Sequence, residues 1–255
     1  SELGVLQIGG ALHNAQWGKV PVVFFTEILG TAQRPVWNGA AFDQGSMVRN
    51  FVKWDHQLTA GEDIGEAFSK AFSIAASEPC GPVYLAVPRE TLWSKDASRT
   101  GRPYQVSLEK PPAADPALLS KAADILIGAE NPLIVTGYSG RNLNTVASLI
   151  ELAETLAARV LTADVRVNFP NTHPLAAYLP PAAGFGNPLL ARADVILAID
   201  FDMHYASGPS QLMPGVKIVH IDVDTVKKGM PLWGRKPDIL VRADSALAVP
   251  ALTGI

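Results

Sequence analysis

Few side chains in this 255-residue chain have types and spacings that suggest chemistry. Gly137-Tyr138-Ser139-Gly140 follows an apolar run and precedes a helical pattern. Amides at a helix start favour anions, so Gly137 and Ser139 are candidates for a nucleotide-phosphate loop. The spacing is not the dinucleotide fingerprint, and a tight turn explains the glycines equally well. Asp222 and Asp224, in "HIDVD", stand at the end of an apolar run where a ribose or adenine could be received. His173, His204 and His220 lack ligand spacing, so no metal site is expected. Cys80 lies between Pro79 and Gly81 with no base nearby, which predicts a neutral thiol. Ser46, Ser139 and Ser207 have no G-x-S-x-G setting, which disfavours a hydrolase. Lys53 and His56 are acid–base types with no evident partner and read as surface positions.

The elements that must hold these residues alternate between strand and helix. Val5, Ile8, Leu12 and Ala15 form a helical stripe after a short opening loop, and Gly9-Gly10 suggests a close backbone approach there. "VPVVFFTE" (20–27) and "FVKWDHQL" (51–58) read as strands, with a long loop over 29–42. Thr59 and Glu62 have capping-box spacing ahead of a helix whose apolar face carries Ile64, Ala67, Phe68, Ala71 and Ala75. "GPVYLAVPRE" (81–90) is apolar almost without a break, as in a strand buried on both faces. A second block repeats the pattern. It has helices over 116–129 and 143–157, strands over 131–137, 158–164, 193–200, 216–224 and 238–244, and a loop-rich stretch over 165–186. The fold class is α/β, with parallel sheets flanked by helices. Residues 1–91 form one domain, the Pro-rich 92–115 a linker and 116–255 a second domain.

Bulk properties narrow the function. The chain is 48% hydrophobic and 18% charged with net charge −3, a globular composition with no field favouring nucleic acid or anionic membrane. No apolar run approaches the roughly 20 residues that span a bilayer, and the N-terminus has no secretory signal. A single cysteine excludes an internal disulfide and fits a cytoplasmic protein.

"SELGVLQIGGALHNAQWGKVPVVFFTE", "FVKWDHQL", "GPVYLAVPRETL", "NPLIVTGYSG" and "VKIVHIDVD" occur in that order around the Pro-rich stretch. This combination resembles thiamine diphosphate-dependent enzymes of the acetolactate synthase type, an architecture shared with benzoylformate and oxalyl-CoA decarboxylases. The resemblance covers nearly the whole chain. It implies the second half of a pyrimidine-binding domain followed by a Rossmann-like central domain. It further implies a 2-oxo acid substrate, decarboxylation or carboligation, thiamine diphosphate with Mg²⁺, and a homodimer or homotetramer.

Carried over by position, Gly4 and Gln7 fall in the loop that approaches the pyrimidine ring, where an Asn is common at Gln7. Phe42-Asp43-Gln44 matches a segment near the subunit interface and active-site mouth that usually reads Phe-Gln-Glu, which makes Phe42 and Gln44 the candidate substrate residues. His13 and Asn14 read as helix-packing or surface positions. Flavin-binding relatives carry an Arg and paired Asp where this chain has "IDFDMHYASGP" (199–209), so neither FAD nor ADP is expected, and the central domain is expected to be empty and structural. The family's Mg²⁺-anchoring Gly-Asp-Gly does not occur in the sequence, and its ylid-forming glutamate belongs upstream of Ser1. Neither Glu2 nor Glu27 stands in that place. The expectation is that this polypeptide contains no catalytic residue and does not turn over alone. The alternative is a non-catalytic nucleotide-binding or interaction module derived from the same architecture.

Overall fold

The computed structural model describes residues 2–30, 32–33, 43–59, 61–95, 106, 108–163, 166–178, 187–202, 212–230 and 236–255. They fall into two compact units that divide between Lys110 and Pro111.

The first unit is a three-stranded parallel sheet of order β1-β3-β2, with β1 at Val23–Ile28, β2 at Trp54–Gln57 and β3 at Val83–Pro88. Val23 and Trp54 both pair with Val83, so β3 is central. All six of its residues are buried. Side chains alternate along a strand, and β3 faces two cores. Tyr84 and Ala86 join Val5 and Leu12 of α1 (Glu2–Trp17), together with Ile28, Val48 and Val52. Val83, Leu85 and Val87 join Leu58 with Ala71 and Ala75 of α2 (Ile64–Ala76). Pro88 lacks the donor to extend the ladder, and the chain turns at once into α3 (Arg89–Leu92).

Three local expectations differ from the structure. The opening loop is helical from Glu2, because Val5 and Leu12 anchor the first turns to the sheet. A Cβ at Gly9 or Gly10 would meet nothing within 4 Å, so no close approach explains those glycines. Half of the Thr59–Glu62 capping box forms, the Thr59 amide donating to Glu62 Oε2. Gly61, at φ +104°, then breaks the path, and Asp63 caps α2 by accepting from Gly65 N (2.7 Å) and Glu66 N (3.1 Å).

The second unit is a six-stranded, all-parallel sheet of order β6-β5-β4-β7-β8-β9. Its strands are β4 Pro132–Thr136, β5 Arg159–Thr162, β6 Ala176–Tyr178, β7 Val195–Ile199, β8 Lys217–Asp222 and β9 Ile239–Arg242. Helices α4 (Pro116–Ile127), α5 (Leu143–Thr155) and α7 (Ser245–Thr253) cover one face through Leu126, Leu149 and Leu252 against Ile134, Leu197 and Val219. The short α6 (Pro188–Arg192) packs Leu190 on the other face, against Leu133, Ile196 and Ile218. Asp115, Asn142, Asn187 and Asp244 each cap a helix start with a side-chain oxygen. Two elements differ from the sequence expectation. Strand β6 lies inside the stretch read as loop, too short at three residues to show a period. Helix α7 holds Pro250, which masks its pattern, yet Ala248, Val249 and Leu252 are buried.

Candidate functional site

Strand order reverses between β4 and β7, and ligands of open parallel sheets bind beyond the strand ends at such a point. The strand-end residues there are Gly137 to Arg141 after β4, Asp200 to Asp202 after β7, and Asp222 to Lys227 after β8.

The turn after β4 is held from several sides. The Gly137 and Tyr138 amides donate to Asp200 O at 3.2 and 3.0 Å. Gly140 N donates to Asn168 Oδ1 at 2.9 Å, and Asn168 Nδ2 donates back to Gly137 O at 2.8 Å. Arg141 N and Asn142 N donate to Tyr138 O and Ser139 O. Ser139 Oγ lies 2.7 Å from Thr136 Oγ1, and both residues are fully buried. The amides that would cradle a phosphate are therefore largely taken up within the chain.

Asp222 is buried and pulls groups from three elements together. Its Oδ2 accepts from Tyr138 OH (2.6 Å) and Lys227 Nζ (2.6 Å), with His220 Nε2 at 3.4 Å. Its Oδ1 accepts from Asp224 N at 2.8 Å. Asp224 Oδ1 accepts from Lys227 N at 3.0 Å. The Lys227 ammonium also donates to Tyr138 OH at 2.5 Å and pairs with Asp202 Oδ1 at 2.7 Å. Burial opposes both charges, but each is outweighed. Asp222 and Asp202 raise the Lys227 pKa, while His220 and Lys227 hold the Asp222 carboxyl well below the usual carboxylate range. Burial and then the charges of Asp222, Asp202 and Asp200 push the Tyr138 phenol well up.

A second buried group adjoins this one. Asp200, at φ +46°, receives Arg141 Nη1 and Ser245 Oγ on Oδ2, and Arg141 Nη2 lies 3.6 Å from Asp244. Burial pushes the Asp200 pKa up to about 7, against the pull of Arg141 and with a further push from Asp222.

In the first unit, Gly4 and Gln7 are exposed on α1 rather than in a loop. Phe42 lies outside the described residues. Gln44 is buried, its Oε1 accepting from Thr26 Oγ1 (3.1 Å) and Tyr84 OH (3.0 Å). Asp43 and Asp55 share Arg49 at 3.2 and 2.7 Å. His56 stacks on Trp54 and lies 3.1 Å from Glu62 Oε1. Lys53 is exposed. Its Nζ caps the end of α2 at Ile74 O (2.5 Å) and Ser77 O (2.7 Å), and burial lowers its pKa. Glu27 accepts from Arg89 Nε and Nη2 at 3.0 and 2.7 Å. His13 meets Phe51 edge-on at 5.8 Å.

The sequence reading brings Gly137, Ser139, Asp222 and Asp224 to one place. It misses Tyr138, Asn168, Asp200 and Lys227. Lys227 stands in a polar run with no local signal, and its partner Tyr138 is 89 positions away.

The family model for the central domain of thiamine pyrophosphate enzymes matches residues 119–252. Over 258 residues the chain is 32% identical to benzoylformate decarboxylase of Pseudomonas aeruginosa, which takes in 95% of this chain and 47% of that protein. It is 26% identical to acetolactate synthase 1, chloroplastic, of Zea mays over 99% of this chain and 40% of that one. A solved Mycobacterium smegmatis structure, titled as a candidate thiamin diphosphate-dependent enzyme, superposes with TM-score 0.77 at 23% identity. That superposition takes in 96% of this chain and 48% of the other, and it shows a shared fold. The chain thus spans about half the length of the curated relatives it matches.

Proposed function

Since the chain belongs to the thiamine pyrophosphate enzyme family, we propose that it is the portion of a 2-oxo acid enzyme running from the second half of the pyrimidine-binding domain (1–91), through a linker (92–115), to the central domain (116–255). The reaction is decarboxylation, carboligation or both. The observation that carries this reading is the central-domain match over 119–252, joined to 32% identity with a benzoylformate decarboxylase along 95% of the chain.

Thiamine diphosphate would supply the electron sink when bound. Gly4 is the proposed contact with its flat pyrimidine ring, being exposed on α1 with no Cβ in the way. Gln7, one turn on and exposed, would present its amide beside the ring. For Mg²⁺ the fit fails: the described residues contain no group of three or more His, Cys, Asp or Glu able to hold a metal ion. No step is therefore assigned to the ion through these residues. Phe42 and Gln44 are the proposed substrate-side segment. Gln44 acts there by positioning, since its amide oxygen is committed to Thr26 and Tyr84.

We further propose a homodimer or homotetramer, since family active sites lie between subunits, and a cytoplasmic location, since one cysteine leaves no internal disulfide. No helix among the described residues is long and apolar enough to cross a membrane. The test is release of CO₂ from benzoylformate and from pyruvate by the protein as expressed from its own reading frame, with thiamine diphosphate and Mg²⁺ added. Turnover that depends on thiamine diphosphate supports the reading. Its absence with both acids, in folded protein, favours the non-catalytic module.

A further inference from the structure

We propose that Lys227 is the internal ligand of the second unit's switch-point crevice and decides that this unit takes no nucleotide. A carboxylate at the carboxyl end of a strand near the switch point is able to receive ribose hydroxyls. Here that position belongs to Asp222, and its oxygens are spent on Lys227 Nζ, Tyr138 OH and Asp224 N at 2.6, 2.6 and 2.8 Å. The ammonium has three protons and meets three acceptors: Asp222 and Tyr138 within hydrogen-bond distance and Asp202 at 2.7 Å. It also lies 5.2 Å from the Tyr138 ring centroid. Lys227 is only 6% exposed.

The backbone is shaped for this insertion. Lys227 has φ +50°, a left-handed conformation that costs a non-glycine residue energy unless its surroundings compensate. Its own amide is tied to Asp224 Oδ1 at 3.0 Å, and its carbonyl accepts from Met230 N at 2.8 Å. Asp224 therefore fixes the turn that aims the side chain inward. The phosphate side of the crevice is closed independently, because Asn168 holds Gly140 N and Gly137 O. A nucleotide would have to displace a buried, ion-paired ammonium at one end and a bidentate amide at the other.

This inference stands whichever reaction the whole protein performs. ADP is the probe, titrated by calorimetry into the wild-type protein and into Lys227→Ala and Lys227→Met. The wild type is expected to give no binding heat. At least one folded variant is expected to bind ADP at least about tenfold more tightly, because Asp222 is released. Micromolar ADP binding by the wild type overturns the proposal, as does the absence of a gain in every variant that folds. Should both variants fail to fold, the wild type decides alone through the ¹⁵N-resolved ammonium of Lys227. Slow proton exchange supports an enclosed, paired cation, and exchange at the rate of a surface lysine overturns it.

Discussion

Asn168 and Gly140 close on each other in the second unit, the glycine amide donating 2.9 Å to Asn168 Oδ1. The same side chain donates to Gly137 O at 2.8 Å and Arg166 O at 2.9 Å. One buried amide thus joins the turn after β4 to the segment after β5. Asn168→Ala leaves Gly140 N and Gly137 O buried without that partner. The expected cost is roughly 2–6 kcal/mol, from about 1–3 kcal/mol for each of the two orphaned buried groups. It is read as a lower thermal midpoint, and an unchanged midpoint would show that this contact contributes nothing.

Gly140 and Gly10 should respond to alanine in opposite directions. A Cβ at Gly140 would fall 1.9 Å from Val167 O, a backbone atom that cannot move without parting Asn168 from the turn. Gly140→Ala is expected to destabilise by about 3 kcal/mol, the upper end for overpacking. At Gly10, inside α1, a Cβ meets nothing within 4 Å. Gly10→Ala is expected to stabilise by about 0.5–1 kcal/mol, through helix propensity. Paired melting curves check the signs, and a shift of the same sign in both would refute the packing argument.

Acidity enters through Asp200. Its carboxyl pKa is pushed up to about 7 by burial, with Arg141 opposing and Asp222 adding to the shift. An unfolded aspartate titrates near 3.9, so between about pH 4 and pH 7 the folded state binds the extra proton. Stability from this group is fully present below about pH 4 and is lost as pH rises toward 7. Asp222 works the other way: its depressed carboxyl contributes stability above about pH 4 that is lost on further acidification. Asp200→Asn, which cannot titrate, should therefore flatten the decline between about pH 4 and pH 7. Melting midpoints of wild type and variant across that range check it. Parallel profiles would mean that Asp200 is already ionised at acid pH.

The strands were legible in the sequence for a physical reason. β3 and β7 are buried on both faces, so "VYLAVP" and "VILAI" are apolar throughout and stand out without any partner being known. β6 was not legible, because three residues carry no period. α7 was not, because Pro250 contradicts a helix that packing on α5 and β8 sustains. Half of the site showed itself for a similar reason: Gly137 and Asp222 end long apolar runs. The other half did not. Lys227, Asn168 and Arg141 each depend on a partner 28 to 89 positions away, and no local spacing encodes such a pair. The Thr59–Glu62 spacing shows the converse, a local rule half-obeyed until Gly61 ends it.

Phe25 and Phe72 present aromatic surface to solvent in the first unit. Phe25 is 51% exposed on β1, and Phe72 is 58% exposed on α2. Phe68 joins them, edge-on to Phe25 at 5.3 Å. Among the described residues β1 pairs only with β3, and its other edge, unpaired within that set, runs beside this patch. An apolar patch beside an open edge promotes association, with burial worth about 25 cal/mol per Å² of apolar surface. The 255-residue chain is therefore expected to self-associate with rising concentration. Phe25→Ser combined with Phe72→Ser should shift that association to at least about tenfold higher concentration, a change of about 1.4 kcal/mol. Sedimentation equilibrium measures both. A wild-type mass equal to one chain at every concentration would refute the role of this face, and an unaltered association in the double variant would move it to another surface.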